Sequence, residues 1–190
     1  LDHGDVAVLQ GGDRIVRGHV TGFADCEDRR PLDPTAIFTL FSMSKPLAAV
    51  AMLLLYEEGQ WQFDDSVADY LPEFKGIAAL PGSKATRPPT IRELFTHSAG
   101  FSFGKTIEEM MEKVQKLSWV DARSLTELIG RYASQPLDYE PGTAWEYSVA
   151  TDLQAEIVER LSGERYDLFL KRRLFDPLGM TDTGFALDYD

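Results

Sequence analysis

The 190-residue chain has no asparagine, a single cysteine (Cys26) and three histidines (His3, His19 and His97). Without asparagine there is no N-glycosylation acceptor and no motif of the S-D-N kind. A lone cysteine rules out an internal disulfide framework. With so few histidines and cysteines, no zinc ligand set can be assembled. Basic residues are also scarce, 19 against 31 acidic ones for a formal net charge of −12. The chain therefore lacks the electrostatic footprint of a partner for nucleic acid or anionic membrane. Its longest apolar run, around Leu47 to Leu55, falls short of the roughly twenty residues needed to span a bilayer. The opening residues LDHGDVAVLQGGDRIVRG have neither a basic n-region nor a continuous apolar h-region, so no signal peptide is expected in them. The compartment, cytoplasmic or exported, stays open.

The stretch that organises the rest is Ala36 to Gly59, AIFTLFSMSKPLAAVAMLLLYEEG. It reads as a short run into a long buried helix, with Ser42 and Lys45 at the entrance in the pattern S-x-x-K. A serine hydroxyl needs a neighbouring base at neutral pH, and residues three apart on a helix share a face, so Lys45 can reach Ser42. Leu47 to Leu55 is apolar all round, which places the helix inside a core and the pair at its dry end. Burial there would lower the ammonium's pKa toward a range where it accepts a proton. The plain alternative makes Ser42 or Ser44 an N-cap, Lys45 a solvated first-turn residue, and Pro46 a residue sited where its missing N–H costs nothing.

The remaining pattern is mixed. Val6 to Leu9 and Arg14 to Val20 are two extended runs around Gly11, Gly12 and Asp13, a β-hairpin signal. Short helices are expected at Val67 to Leu71, capped from Ser66, and from Thr90, where Thr90 and Glu93 form a capping box. Longer ones follow at Ile107 to Leu117 and Ser124 to Tyr132, then from Ser148 to a stop at Gly163, and from Tyr166 to Phe175. Residues 75–89 and Asp138 to Tyr147 read as loops, the second turning at Pro141-Gly142.

Three further features compete for chemistry. Gly100-Phe101-Ser102-Phe103-Gly104 matches the G-x-S-x-G nucleophile elbow, but the elbow needs a strand before it and a histidine after it. Here a capped helix precedes it and every histidine lies earlier, so Ser102 reads as an ordinary loop serine. His97, at a helix end, reads as structural, satisfying backbone carbonyls. Tyr147 follows a Pro-Gly turn and opens a helix, and a phenol becomes a usable base beside an ammonium such as Lys45. Its plain reading is a core tyrosine.

Taken together, four blocks resemble the serine β-lactamase and penicillin-binding superfamily, in its class C-like branch. They are Phe38 to Pro46 (FTLFSMSKP), Thr90 to Gly100 (TIRELFTHSAG), Pro141 to Ser148 and Asp176 to Thr183 (DPLGMTDT), in the family's order. The resemblance implies Ser42 as nucleophile, Lys45 as its close partner and Tyr147 as general base or proton shuttle; which of the last two takes the first proton stays open. The family's Tyr-x-Asn stands here as Tyr147-Ser148-Val149, and Tyr147 to Asp152 (YSVATD) is similar to the carboxylesterases of the superfamily. No counterpart of the family's third motif, a Lys-Thr-Gly-like or Trp-Gly-Gly-like strand, is present, so the chain is expected to cover about the N-terminal half of such a domain.

What the resemblance implies is an α/β (α+β) transpeptidase-like fold: an antiparallel sheet flanked by helices, with an all-helical region. Residues 1–59 would hold the hairpin and nucleophile helix, about 60–162 the helical region and 163–190 the return toward the sheet. The implied activity is a serine carboxylesterase on short acyl esters, without metal or cofactor. A β-lactamase or D-alanyl-D-alanine carboxypeptidase, an acyltransferase on the same site, and a non-catalytic binding module of the same fold are the alternatives. The partner is a small-molecule ester or β-lactam-like substrate; oligomeric state is not legible.

Overall fold

The computed structural model describes residues 5–11, 14–77, 87–117 and 121–185. They fall into two compact units, Leu1–Phe41 and Ser42–Asp190. In the first, strands β1 (Asp5–Gly11) and β2 (Arg14–Thr21) pair antiparallel, with Val6 opposite Val20 and a register shift at Leu9/Gln10. This is the expected hairpin; its turn residues 12 and 13 lie outside the described residues. Two shorter strands, β3 (Phe23–Asp25) and β4 (Arg30–Pro31), make a second antiparallel pair. The Asp25 carboxylate closes the connection between them by accepting from the Glu27 and Asp28 N–H groups.

The second unit is helical. Its elements are α1 (Lys45–Glu57), α2 (Val67–Tyr70), α3 (Ile91–Phe95), α4 (Ile107–Leu117), α5 (Leu125–Ala133), α6 (Ala150–Ser162) and α7 (Tyr166–Leu170). The caps fall where the sequence puts them. Ser66 accepts from the Ala68 N–H, Ser124 from the Glu127 N–H, and Thr90 and Glu93 form the reciprocal capping box of α3. A left-handed Gly163 ends α6. Past α7 the chain winds into a turn of π-helix, Lys171–Phe175, rather than continuing as α-helix. The expected loop at 75–89 is described only at its ends; residues 78–86 lie outside the described residues.

Helix α6 is the hub, packing against α1, α3, α5 and α7. Leu153, Ile157 and Val158 on α6 meet Ala51, Met52 and Leu55 on α1, Leu94 on α3 and Ile129 on α5 in one buried cluster. Each of these side chains larger than alanine contributes about 1.5–3 kcal/mol on burial. Trp61 seals the far end of α1, fully buried, with its indole N–H donating to the Met52 carbonyl at 2.7 Å. Its ring stacks on Phe95 at 5.6 Å, which ties α1 to α3.

One expectation is corrected. Helix α1 is apolar all round yet not buried all round: Ala48, Ala51, Met52 and Leu55 are buried, while Val50 and Leu53 are 37% and 40% exposed. Apolar composition fixes what a helix can bury, and the packing of α6 and α7 covers one face of it.

Candidate active site

Ser42 lies in a turn of 3₁₀ helix, Phe41–Ser44, that feeds directly into α1. Lys45 is the first residue of α1, one turn on, and its ammonium donates to Ser42 Oγ at 3.2 Å. The plain capping alternative does not describe this turn, because Ser44 occupies the cap position without any side-chain cap hydrogen bond. Pro46 stands in the first turn, where the helix leaves N–H groups unpaired anyway. Immediately before Ser42, Phe41 holds φ at +46°, a left-handed conformation that costs a bulky residue about 1–3 kcal/mol.

Tyr147 arrives on the loop that leads into α6. The segment 97–102 is stitched to the loop 138–146 by hydrogen bonds that include Asp138 N–H to the Gly100 carbonyl, Gly142 N–H to the Ser98 carbonyl, Glu146 N–H and the Tyr139 hydroxyl to the His97 carbonyl, and Ser102 N–H to the Asp138 carboxylate. Gly100 makes this approach possible. Its φ is +97°, and a Cβ there would sit 2.7 Å from the Tyr139 carbonyl oxygen. The loop is thereby delivered so that the Tyr147 ring lies under the Lys45 ammonium, 4.7 Å from nitrogen to ring centroid.

The electrostatics follow from that placement. Partial burial pushes the Tyr147 phenol up, but the polar contacts of Lys45 and Ser42 with its oxygen and the Lys45 charge outweigh this and hold it below the ordinary tyrosine value. Asp152, in the first turn of α6, pulls the other way by favouring the neutral phenol. Burial raises the Asp152 carboxyl's own pKa above the usual range; the hydrogen bond from the Tyr132 hydroxyl at 2.9 Å and the charge of Lys45 oppose the rise without cancelling it. His97 is held below its ordinary value, first by burial and then by Lys45.

The three residues singled out for chemistry thus come together, while among the described residues nothing encloses them in the dry surroundings expected. Ser42 is exposed and Tyr147 is 40% exposed. The elbow serine goes elsewhere: Ser102 Oγ accepts from the Gly104 N–H at 2.9 Å, and its carbonyl accepts from Lys113. Beside it, a cavity of about 170 Å³ is lined by Phe101, Leu117, Tyr132, Pro136 and Val149, with the Lys113–Asp138 ion pair in its wall. Among the described residues no three His, Cys, Asp or Glu side chains come together as a metal site.

Two neighbours of Tyr147 were not singled out for the site. Phe103 packs on its ring at 5.7 Å and His97 at 5.1 Å. A signal for His97 was available: a histidine stands where a helix ending in this way ordinarily takes glycine.

A family model described as Beta-lactamase matches residues 3–189. The chain belongs to the beta-lactamase family. Among curated relatives, esterase EstB of Burkholderia gladioli is 33% identical over 187 residues, spanning 96% of this chain and 47% of its own length. Penicillin-binding protein 4* of Bacillus subtilis is 30% identical, over 95% of this chain and 37% of its own length. The solved structure of EstCE1, a hydrolase with promiscuous acyltransferase activity, superposes with a TM-score of 0.79 at 27% identity, over 93% of this chain and 46% of that one. The chain therefore spans about half the length or less of these beta-lactamase-family relatives, and the fold is the β-lactamase and penicillin-binding-protein fold.

Proposed function

We propose that the protein is a serine hydrolase of the carboxylesterase kind, class C-like in its motifs, cleaving short acyl esters through an acyl-enzyme on Ser42. The observation that carries this reading is the position of one ammonium. Lys45 Nζ donates to Ser42 Oγ at 3.2 Å and lies 4.7 Å from the centroid of the Tyr147 ring, so nucleophile, cation and phenol form one cluster.

In the proposed cycle Tyr147, as phenolate, takes the Ser42 proton while Oγ attacks the ester carbonyl carbon. Lys45 stabilises the phenolate that must exist beforehand, and this is why the first proton is assigned to Tyr147. The tetrahedral oxyanion is met in part by the Ser42 N–H at the entrance of α1, a donor of the kind that contributes a few kcal/mol to such transition states. Collapse breaks the bond to the alcohol oxygen, which leaves with the proton from Tyr147. Water then attacks the acyl carbon and gives its proton to Tyr147; collapse breaks the bond from the acyl carbon to Ser42 Oγ, which takes that proton back, so the acid is released with Ser42 free and Tyr147 again a phenolate.

Ester rather than β-lactam substrates are favoured by Val149. The resemblance puts an asparagine amide at this position in the β-lactamases and peptidases, whereas here an apolar side chain, 8% exposed, stands two residues after Tyr147. The similarity to EstB points the same way. Acyl transfer is the second reading, favoured by the likeness to EstCE1.

The test is covalent labelling of the intact protein with an alkyl fluorophosphonate and peptide mapping, with Ser42→Ala and Ser102→Ala alongside. The expected result is label on Ser42 that only Ser42→Ala removes, with p-nitrophenyl acetate turned over far faster than a chromogenic β-lactam. Label on Ser102, or none, would sink the assignment. Addition of a primary alcohol then separates transfer from hydrolysis by product analysis.

A further inference from the structure

His97 occupies a position that its residue type makes costly. Helix α3 ends with Thr96 at the cap, and His97 follows with φ at +54°; the Ser98 N–H then reaches back to the Glu93 carbonyl at 3.0 Å. That is the Schellman pattern, in which the left-handed residue is usually glycine because a Cβ is strained there. A histidine in this place is a strained residue whose side chain needs an explanation.

The side chain and backbone of His97 touch each residue from Trp145 to Ser148. Its carbonyl accepts from the Glu146 N–H at 3.0 Å, and from the Tyr139 hydroxyl at 3.2 Å. Its ring lies 5.1 Å from the Tyr147 ring, and 6.3 Å, edge on, from Trp145. Its Nδ1 is 3.4 Å from Ser148 Oγ, a hydroxyl only 1% exposed that also accepts from the Ala150 N–H. Because Ser148 Oγ is already an acceptor at the start of α6, its proton is free to donate to Nδ1. The bond then calls for a neutral imidazole protonated at Nε2. That form suits a ring near Lys45, which disfavours a second cation.

We propose that His97 is a positioning residue that sets the Tyr147 phenol against Lys45: its left-handed backbone anchors the loop that delivers Tyr147, and its neutral ring locks the tyrosine's rotamer from beside and from Ser148 behind. Glycine would satisfy the helix end alone. Only a side chain with a flat face and an acceptor performs both contacts. The inference rests on the esterase reading for the role given to Tyr147, and acts through that residue rather than on substrate.

The experiment compares the intact protein with His97→Gly and His97→Asn, both residue types that enter the left-handed region. The first readout is independent of turnover: ionisation of Tyr147 followed by NMR in protein carrying ¹³Cζ-tyrosine, with Tyr147→Phe assigning the signal. In the parent this phenol titrates below the ordinary tyrosine value; in His97→Gly it moves up toward that value, and His97→Asn, which restores an acceptor for Ser148, falls between. The second readout is p-nitrophenyl acetate hydrolysis, where kcat falls tenfold or more in His97→Gly with KM within threefold and thermal stability unchanged or higher, and His97→Asn recovers part of the loss. An unchanged Tyr147 titration in folded His97→Gly overturns the proposal, as does a fall in stability without any change in titration. If the glycine variant fails to fold, His97→Asn decides by the same criteria. A parent that turns over no ester overturns the esterase reading instead, and the tyrosine titration still decides this one.

Discussion

Lys45 and Tyr147 form the contact on which the proposed chemistry turns: the ammonium at the start of α1 lies 4.7 Å from the centroid of the Tyr147 phenol ring, just ahead of α6. The phenol is held below its ordinary pKa against the effect of its own partial burial. Replacing Lys45 with methionine keeps the stem and removes the charge. The expected outcome is a loss of roughly 10²–10⁴ in kcat/KM, the range typical of general acid–base catalysis, with the pH at half-maximal activity moved upward as the phenol loses its cation. A pH–rate profile of the variant checks both.

Tyr147→Phe separates packing from chemistry. The rings of His97 and Phe103 contact the tyrosine ring at 5.1 and 5.7 Å, and a phenylalanine keeps both contacts. Thermal stability should stay within about 1 kcal/mol of the parent, as for a conservative change at a partly exposed site. Ester turnover should fall as far as in the lysine variant. Melting curves and initial rates on one preparation decide whether the phenol oxygen or the ring matters.

Glu93 ties the helix end to the loop. It is buried, accepts two hydrogen bonds from Arg87 at 2.8 and 2.6 Å and one from the Thr90 N–H at 2.8 Å, and its Oε1 would lie 2.8 Å from a Cβ at Gly142. Burial raises its pKa, but Arg87 and Thr90 outweigh this and leave it below the ordinary glutamate value. A depressed carboxylate contributes stability that is present above pH 4.5 and lost as pH falls through the lower native value. Glu93→Gln should cost about 1–3 kcal/mol at pH 7, with the difference from the parent shrinking as the pH falls below about 4. Urea melts at pH 7 and pH 3 test the sign, and Gly142→Ala should destabilise at both.

How far these features were legible beforehand depends on how local their cause is. The capping box of Thr90 and Glu93, the cap at Ser66 and the stop at Gly163 are written in three or four adjacent residues, and each is found where the pattern puts it. The approach of Lys45 to Ser42 is equally local, one turn of helix. The packing of His97 against Tyr147 is not local, because it depends on the loop 138–146 docking along 97–102, which no periodicity encodes. The dry environment expected for Ser42 fails for a related reason. All-apolar composition around α1 shows that both faces can be buried, but what covers each face is set by elements distant in sequence.

Asp152 supplies the prediction in which stability and activity are set against each other. Its carboxyl accepts from the Tyr132 hydroxyl at 2.9 Å, and burial raises its pKa above the ordinary aspartate value despite that bond and despite Lys45. Because the native state binds this proton more tightly than the unfolded chain, the group's stabilising contribution is present below pH 3.8 and is lost as pH rises through the raised native value. Wherever the carboxyl is ionised, it is a buried negative charge that the fold must carry. Asp152→Asn keeps an oxygen for Tyr132 and removes the charge, so Tm at pH 7 should rise, by about 2–4 °C for each ~1 kcal/mol relieved, and the gain should vanish near pH 3. The same substitution removes a charge that favours the neutral phenol, so the Tyr147 ionisation should move further down. The pH–rate profile should then extend to lower pH while the plateau rate falls, since a less basic phenolate takes the Ser42 proton less readily. A variant that is neither more stable at pH 7 nor shifted in its profile would mean that Asp152 carries no charge at neutral pH and is a hydrogen-bonded core acid.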